Sequence, residues 1–258
     1  MKKVYENLGV ELWCGDCREY PFNPATIVVT DPPYKIGGFK QIKNFTDKET
    51  GKGKGKDGAS ELGRDYHTDF DDEAIEPKEW ASLMPDTVVS FFGAKSMGKL
   101  IRAFERAGFQ IVQDFHFCKT MAPPPLRGVG FAWATESGYI FKRKGSKYRI
   151  NKEAGYSPNW IVSSVRANVM KKDANKGALT DHPTSKPLGV MRWLVRYIVP
   201  KDVTVVDPFC GVGSTGEACI ELGRKFVGIE KQVKYCDEAA RLFDFAIDRR
   251  KSSFHILD

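Results

Sequence analysis

The stretch that decides the fold is VVDPFCGVGSTGEACIELGRKFVGIE, which runs from Val205 to Glu230. A short β-branched run enters a glycine loop, a helix-like segment follows, and a second strand-like run ends at Glu230. Gly211 and Gly213 stand where a side chain would block the approach of a ligand. The stretch therefore predicts a βαβ unit, with Glu230 placed to accept the two hydroxyls of an adenosine ribose.

The same glycines leave two cofactor classes open. Gly211 to Gly216 also reads as GxGxxG, so a nicotinamide- or flavin-binding Rossmann enzyme is a competing interpretation. Asp207, Pro208 and Phe209 lengthen the turn before the glycines and add an acid beside it. That arrangement suits a cationic methionine moiety better than a pyrophosphate, and it favours S-adenosylmethionine as the cofactor.

The rest of the chain alternates between strand-like and helix-like segments. We predict strands at 25–30, 87–92, 109–118, 139–141, 203–206 and 225–229, and helices at 96–107, 187–198, 214–222 and 233–247. The run 25–30 is taken as the first strand. Alternation of this kind predicts an α/β fold, with a mostly parallel sheet and helices on both faces.

Composition limits the classes that need to be considered. With 258 residues, of which 41% are hydrophobic, the chain suits a single domain, 1–258, and its net charge of +7 favours a polyanionic partner over solubility alone. No apolar run reaches the roughly 18 residues of a membrane helix, so we expect no membrane and a cytoplasmic location. Of six cysteines, only Cys14 and Cys17 form a CxxC, without a second pair, so we expect reduced thiols and no metal.

The predicted strand 25–30 runs directly into Asp31, Pro32, Pro33 and Tyr34. Two prolines cannot continue a sheet ladder, so the strand must stop there and leave the tetrapeptide at the sheet's carboxyl edge. Functional residues of open α/β sheets cluster at that edge. A purely structural Asp-Pro-Pro turn is the alternative interpretation.

This tetrapeptide suits methylation of an exocyclic amine, whose lone pair is delocalised into the base. The Asp31 carboxylate and the Pro32 carbonyl can each accept an N–H, which localises the lone pair. Pro32 and Pro33 keep the turn rigid, and Tyr34 offers a ring on which a base taken out of the helix can stack. The sequence therefore predicts Asp31, Pro32, Pro33 and Tyr34 as the catalytic residues.

Three motifs together resemble those of the amino-group DNA methyltransferases. They are DPPY at 31–34, HPTSKP at 182–187 and FxGxG at 209–213. Their order resembles the circularly permuted class called beta, and the resemblance covers essentially the whole chain. It implies a Rossmann-like methyltransferase fold with S-adenosylmethionine as the cofactor. It also implies double-stranded DNA as the substrate, with the target base flipped out, and a homodimer as the oligomeric state.

The resemblance also assigns eight cofactor-binding residues. It places Phe209, Gly211, Gly213 and Glu230 around adenosine, Asp207 near the methionine amine, Ser185 with Lys186 at the methionine carboxylate, and Asp16 at the adenine amino group. For Asp16, the alternative role is to shape a turn. Family members place target recognition between their catalytic and cofactor motifs, which here leaves about 119–181, while the glycine-rich segment 39–68 is expected to be a mobile loop.

We expect the preferred target to be the N6 amino group of adenine. Family members acting on cytosine N4, the first alternative, more often have Ser in place of Asp31. Cytosine C5 is disfavoured because the chain has no Pro-Cys pair to supply a nucleophile. Methylation of RNA or of glutamine amides, and DNA binding without catalysis, remain as competing classes.

Overall fold

The structure is a computed structural model that describes residues 1–33, 75–94, 96–122, 130–148, 150–164 and 185–254. The strands within these residues are β1 (Lys2–Asn7), β2 (Val10–Cys14), β3 (Ile27–Thr30), β4 (Thr87–Phe92), β5 (Phe109–Lys119), β6 (Thr135–Arg143), β7 (Trp160–Ser163), β8 (Val205–Asp207) and β9 (Phe226–Glu230). The α-helices are α1 (Pro77–Trp80), α2 (Met97–Arg106), α3 (Leu188–Ile198), α4 (Ser214–Glu221) and α5 (Val233–Phe254).

All nine strands form one sheet in the order β1-β2-β9-β8-β3-β4-β6-β5-β7. Its ladders are parallel except where β1 pairs with β2 and where β6 pairs with β4 and β5. The predicted α/β architecture with a mostly parallel sheet is therefore confirmed.

Alternate residues of the central strands face two separate hydrophobic clusters. In β3, Ile27 and Val29 belong to the cluster covered by α3, α4 and α5, whereas Val28 belongs to the cluster covered by α1 and α2. In β8, Val205 and Val206 divide in the same way. Since successive side chains of a strand point to opposite faces, these buried runs require helices on both faces, as predicted.

The prediction that the first strand is 25–30 was wrong, because β1 and β2 precede it. The sequence KKVYEN of β1 alternates exposed and half-buried residues, so it lacks the apolar run of a central strand. It is an edge strand, paired only with β2 among the described residues. β6 is also longer than expected, and together with β7 it brings part of the segment 119–181 into the sheet.

The sheet order brings the two halves of the chain to one edge. β3 lies between β8 and β4, and Ile27 is in register with both Val205 and Thr87. At the carboxyl ends of β3 and β8, the Thr30 hydroxyl donates to Asp207 Oδ1 at 2.7 Å. The segment after β3 and the loop after β8 therefore start side by side.

Candidate active site

Asp31 follows β3 directly, and its carboxylate is only partly satisfied. Oδ2 accepts a hydrogen bond from Lys186 Nζ, whereas Oδ1 is buried and has no hydrogen-bond partner among the described residues. Burial raises the pKa of the Asp31 carboxyl, the Lys186 ammonium opposes that rise, and the Glu136 carboxylate adds to it. The site thus offers a desolvated acceptor oxygen at the carboxyl edge of the sheet.

The two prolines after Asp31 fix the edge of a small cavity. Pro32 is buried and Pro33 is half-buried. Both line a cavity of about 70 Å³ whose walls include Trp80 of α1 and Phe91 of β4. Because the Trp80 ring also meets the Phe209 ring edge-on at 5.2 Å, this apolar contact joins the predicted catalytic turn to the predicted cofactor loop.

Lys186 lies beside Asp31, in the predicted catalytic half of the site. Its side chain is 10% exposed, and its Nζ lies 3.2 Å from Glu136 Oε2 and 5.1 Å from the centre of the Phe91 ring. Ser185, next to it, is half-buried. The contact of both residues with a methionine carboxylate stays a prediction.

Glu136 is a residue of the site that the sequence did not reveal. It lies near the start of β6, where its carboxylate binds Lys186 on one side and Lys119 Nζ at 2.9 Å on the other. Burial works to raise the pKa of Glu136, but the two ammonium groups outweigh it and hold the pKa below its usual range. No motif marks this position, so only the sheet topology reveals its proximity to Asp31.

Asp207 ends β8, and both of its carboxylate oxygens accept hydrogen bonds from inside the fold. Its Oδ1 accepts from the Thr30 hydroxyl and, at 3.1 Å, from the Phe209 N–H, while Oδ2 accepts from the Thr215 hydroxyl at 2.5 Å. Burial raises the pKa of Asp207 to about 6, although these three donors oppose the rise. Asp207 therefore ties β3, the loop and α4 together, and its contact with a methionine amine stays a prediction.

The glycine loop follows with left-handed backbone at Gly211, φ 52°, and Gly213, φ 91°. A Cβ at Gly213 would lie 2.6 Å from the Phe243 ring of α5, closer than real Cβ atoms approach. Sequence analysis explained both glycines by the approach of a ligand. For Gly213, the structure adds a packing reason, because the loop rests directly on α5.

Glu230 ends β9 and faces this loop. Its Oε2 accepts the Gly211 N–H and its Oε1 accepts the Gln232 N–H, both at 2.8 Å. Burial raises the pKa of its carboxyl, and the backbone donors oppose the rise. A carboxylate oxygen has more than one acceptor position, so Glu230 can still accept ribose hydroxyls.

Asp16 lies at the same edge, because β2 pairs in parallel with β9 and Cys14 is in register with Glu230. Its carboxylate caps the short 3-10 helix Cys17–Glu19 and accepts from the Arg18 backbone N–H at 2.9 Å. The Arg18 side chain also binds it, and these hydrogen bonds lower the pKa of Asp16. The turn-shaping role expected as an alternative is thus present, and a contact with the adenine amino group stays a prediction.

Some predicted residues fall outside the described part of the chain. Tyr34, the loop 39–68 and residues 182–184 of HPTSKP are among them. Within the described residues, no group of three or more His, Cys, Asp or Glu side chains is placed to hold a metal ion, and all six cysteines are free thiols. None of the helices described there combines the length and the apolar character needed to cross a bilayer.

The chain was compared with protein families and curated proteins. A family model described as DNA methylase, the N6/N4 methylase family, matches residues 25–241. "Putative methylase YubD" of Escherichia coli (strain K12) is 27% identical over 229 residues, which cover 86% of this chain and 84% of that protein. The family match spans both the DPPY turn and the glycine loop.

Solved structures share the fold. The crystal structure of the M1.HpyAVI–SAM complex superimposes with a TM-score of 0.63 at 20% identity, covering 91% of this chain and 99% of the other. PvuII DNA methyltransferase, described as cytosine-N4-specific, also gives a TM-score of 0.63, at 16% identity and with coverage of 97% and 94%. The mostly parallel sheet described above is therefore the fold of a protein that has been crystallised with S-adenosylmethionine.

Proposed function

Because the chain belongs to the N6/N4 DNA methylase family, a family of S-adenosylmethionine-dependent DNA methyltransferases, we propose that it methylates the exocyclic N6 of adenine in double-stranded DNA. The observation that carries the proposal is the buried Asp31 Oδ1, which lacks a partner among the described residues at the edge where β3 and β8 end. An amine N–H supplied by a substrate would satisfy it.

The chemistry follows from what this edge can hold. S-adenosylmethionine would supply an electrophilic methyl group, whose bond to sulfur breaks as the bond to the amine nitrogen forms, leaving S-adenosylhomocysteine. The methylated amine then releases one N–H proton to solvent. Asp31 Oδ1 accepts one N–H of the target amine and the Pro32 carbonyl accepts the other, so the nitrogen lone pair is aimed at the methyl group. Pro32 and Pro33 hold both acceptors in place, and Tyr34 stacks on the flipped base.

The residues around the loop suit the adenosine of this cofactor. Glu230 accepts the ribose hydroxyls beside Gly211, and the Phe209 ring forms an apolar wall. Asp16 reaches the adenine amino group from the end of β2, because that strand pairs with β9. Ser185 meets the methionine carboxylate, and Lys186 adds positive charge beside it while its Nζ stays bound to Asp31 and Glu136. Asp207, behind the loop, lies near the methionine amine.

The preference for adenine over cytosine N4 rests on Asp31 itself, since Ser is commoner at this position in enzymes acting on cytosine N4. Cytosine N4 is the second candidate, because the same two acceptors serve either exocyclic amine.

DNA recognition is assigned to the segment 119–181. Its described part exposes Phe131, 99% accessible, together with Trp133 and Trp160. Aromatic rings at such a surface stack on bases, and lysines and arginines of the same segment bind phosphates. Because part of this segment is built into the sheet, little of it is left for base contacts, and we expect a short or relaxed recognition site. We also propose a homodimer as the working unit and action in the cytoplasm.

The test is to map modified bases in unmethylated DNA after incubation with the purified protein and S-adenosylmethionine. We expect N6-methyladenine within a short sequence, and no modification with the Asp31→Ala variant. N4-methylcytosine would overturn the choice of base, and a long strict site would overturn the recognition proposal. Radiolabel transfer to RNA or protein but not to DNA would overturn the proposed substrate.

A further inference from the structure

We propose that Lys186 and Glu136 are positioning residues that fix the orientation and charge of the Asp31 carboxylate. Lys186 holds Oδ2 and leaves Oδ1 for the substrate amine, while Glu136 limits how strongly Lys186 binds Asp31. The inference rests on the proposed function, because it takes Asp31 as the acceptor of that amine.

The Lys186 ammonium lies between two carboxylates. It bridges two carboxylates, Asp31 and Glu136, above the Phe91 ring, and its side chain is almost fully buried. A buried ammonium that neutralises one carboxylate would form a tight pair and compete with any other donor for that oxygen. Sharing it between two carboxylates weakens its hold on each.

Asp31 needs a nearby cation to stay ionised. An isolated carboxylate at this depth favours its protonated form, which is a poor acceptor for an amine N–H. Lys186 opposes protonation, whereas Glu136 favours it, so the two act on the Asp31 pKa with opposite signs. The balance keeps Asp31 ionised without giving both of its oxygens to Lys186.

A second lysine binds Glu136. Lys119 at the end of β5 holds Glu136 from the side opposite Lys186. The other charged group that acts on this site is Asp207 of β8, whose own pKa is raised in part by Asp31. Among the described residues, the charged neighbours of Asp31 are thus Lys186, Glu136 and Asp207, with Lys119 behind Glu136.

The direct test is an NMR titration of the Asp31 carboxyl in protein labelled with ¹³C at aspartate side chains, assigned with the Asp31→Asn variant. Lys186→Met is expected to raise the Asp31 pKa by about one unit, and Glu136→Gln is expected to lower it by about half a unit. Lys119→Met leaves Glu136 less compensated and is expected to raise it slightly. Lys186→Arg, which keeps the charge, is expected to restore most of the wild-type value.

Matched controls come from the exposed pair Lys201 and Glu153, whose Nζ and Oε2 lie 2.7 Å apart. Lys201→Met and Glu153→Gln remove the same groups and are expected to leave the Asp31 titration unchanged. Shifts in the same direction for Lys186→Met and Glu136→Gln, or no shift in either, would overturn the proposal. If Lys186→Met does not fold, Glu136→Gln and Lys119→Met still test it, because their expected shifts have opposite signs.

A kinetic readout separates this proposal from the proposed function. The acid limb of the kcat/KM profile for DNA methylation is expected to move to higher pH in Lys186→Met and to lower pH in Glu136→Gln. A protein that shows both NMR shifts but transfers no methyl group to DNA would contradict the proposed function and leave the carboxylate arrangement standing. Active variants whose acid limbs do not move would contradict the positioning role alone.

Discussion

Two aspartates end neighbouring strands of the sheet, and they are satisfied in different ways. Asp207 after β8 receives hydrogen bonds on both oxygens from Thr30, Phe209 and Thr215. Asp31 after β3 is half-buried at the same edge, yet its buried oxygen Oδ1 has no partner among the described residues. The contrast indicates that one carboxylate maintains the fold and the other is available for a substrate.

The cost of leaving an oxygen unpartnered strengthens this distinction. A buried polar group without a hydrogen bond destabilises a protein by about 1–3 kcal/mol. Burial raises the pKa of both carboxyls, so desolvation alone does not separate them. The separating property is the set of donors that the fold provides.

The substitution Asp31→Ala is expected to affect activity most, because it removes the available carboxylate of the pair. We expect methyl transfer to fall by about a thousandfold or more, which corresponds to about 4 kcal/mol, because the amine loses its charged acceptor. Cofactor binding, measured by calorimetry, should persist, since Asp31 acts on the amine. Retained turnover, or loss of cofactor binding together with activity, would refute the assignment.

The packing of the glycine loop gives the next largest effect. Gly213→Ala places a Cβ against Phe243 at a positive φ, so we expect the free energy of unfolding to fall by about 2–3 kcal/mol. Denaturant unfolding would measure this loss. Gly108→Ala is the matched control, because Gly108 has φ 86° but no atom within 4 Å of its built Cβ. Equal losses in both variants would show that backbone strain, not Phe243, sets the cost.

Glu230→Gln addresses the predicted ribose acceptor. One of the two backbone N–H groups that Glu230 binds loses its acceptor, and the ribose hydroxyls lose a charged partner. We expect the dissociation constant for S-adenosylmethionine to rise about tenfold, equivalent to about 1.4 kcal/mol. Unchanged affinity by calorimetry would remove Glu230 from the cofactor site.

The smallest expected effect is a change in the pH dependence of stability in Asp207→Asn. The folded pKa of Asp207, about 6, exceeds the ordinary value of 3.8, so between these two pH values the unfolded chain ionises while the folded carboxyl stays protonated. Stability therefore falls as pH rises over this window and levels off above about pH 6. Asparagine does not ionise, so its stability relative to wild type should increase by about 1 kcal/mol between pH 5 and pH 7.5. Denaturant unfolding at both pH values measures it, and a constant difference would contradict the raised pKa.

The sequence predicted the features that local patterns encode. Buried β-branched runs identified β3, β4, β8 and β9, and the prolines after Asp31 marked the end of β3 at the functional edge. The FxGxG and DPPY motifs predicted the two halves of the candidate site. β1 was missed because an edge strand needs no apolar run.

Local sequence patterns could not predict contacts between segments that lie far apart in the chain. Nothing near Glu136 or Lys119 in sequence signals a pair beside Asp31, because β5 and β6 reach that edge only through the strand order. Two further features likewise depend on helices and strands that lie far apart in the chain. They are the packing of Gly213 on Phe243 and the hydrogen bonds to both oxygens of Asp207.

The bond between Thr30 and Asp207 spans 177 residues of chain. At ribosomal speeds of about 5–20 residues per second, β3 waits roughly 10–35 seconds after its synthesis before β8 can pair with it. During that interval a strand whose four residues are all buried in the folded protein has an open hydrogen-bonding edge, which is a template for aggregation. We therefore expect nascent chains of this protein to require chaperones, and fragments that end before β8 to precipitate rather than fold.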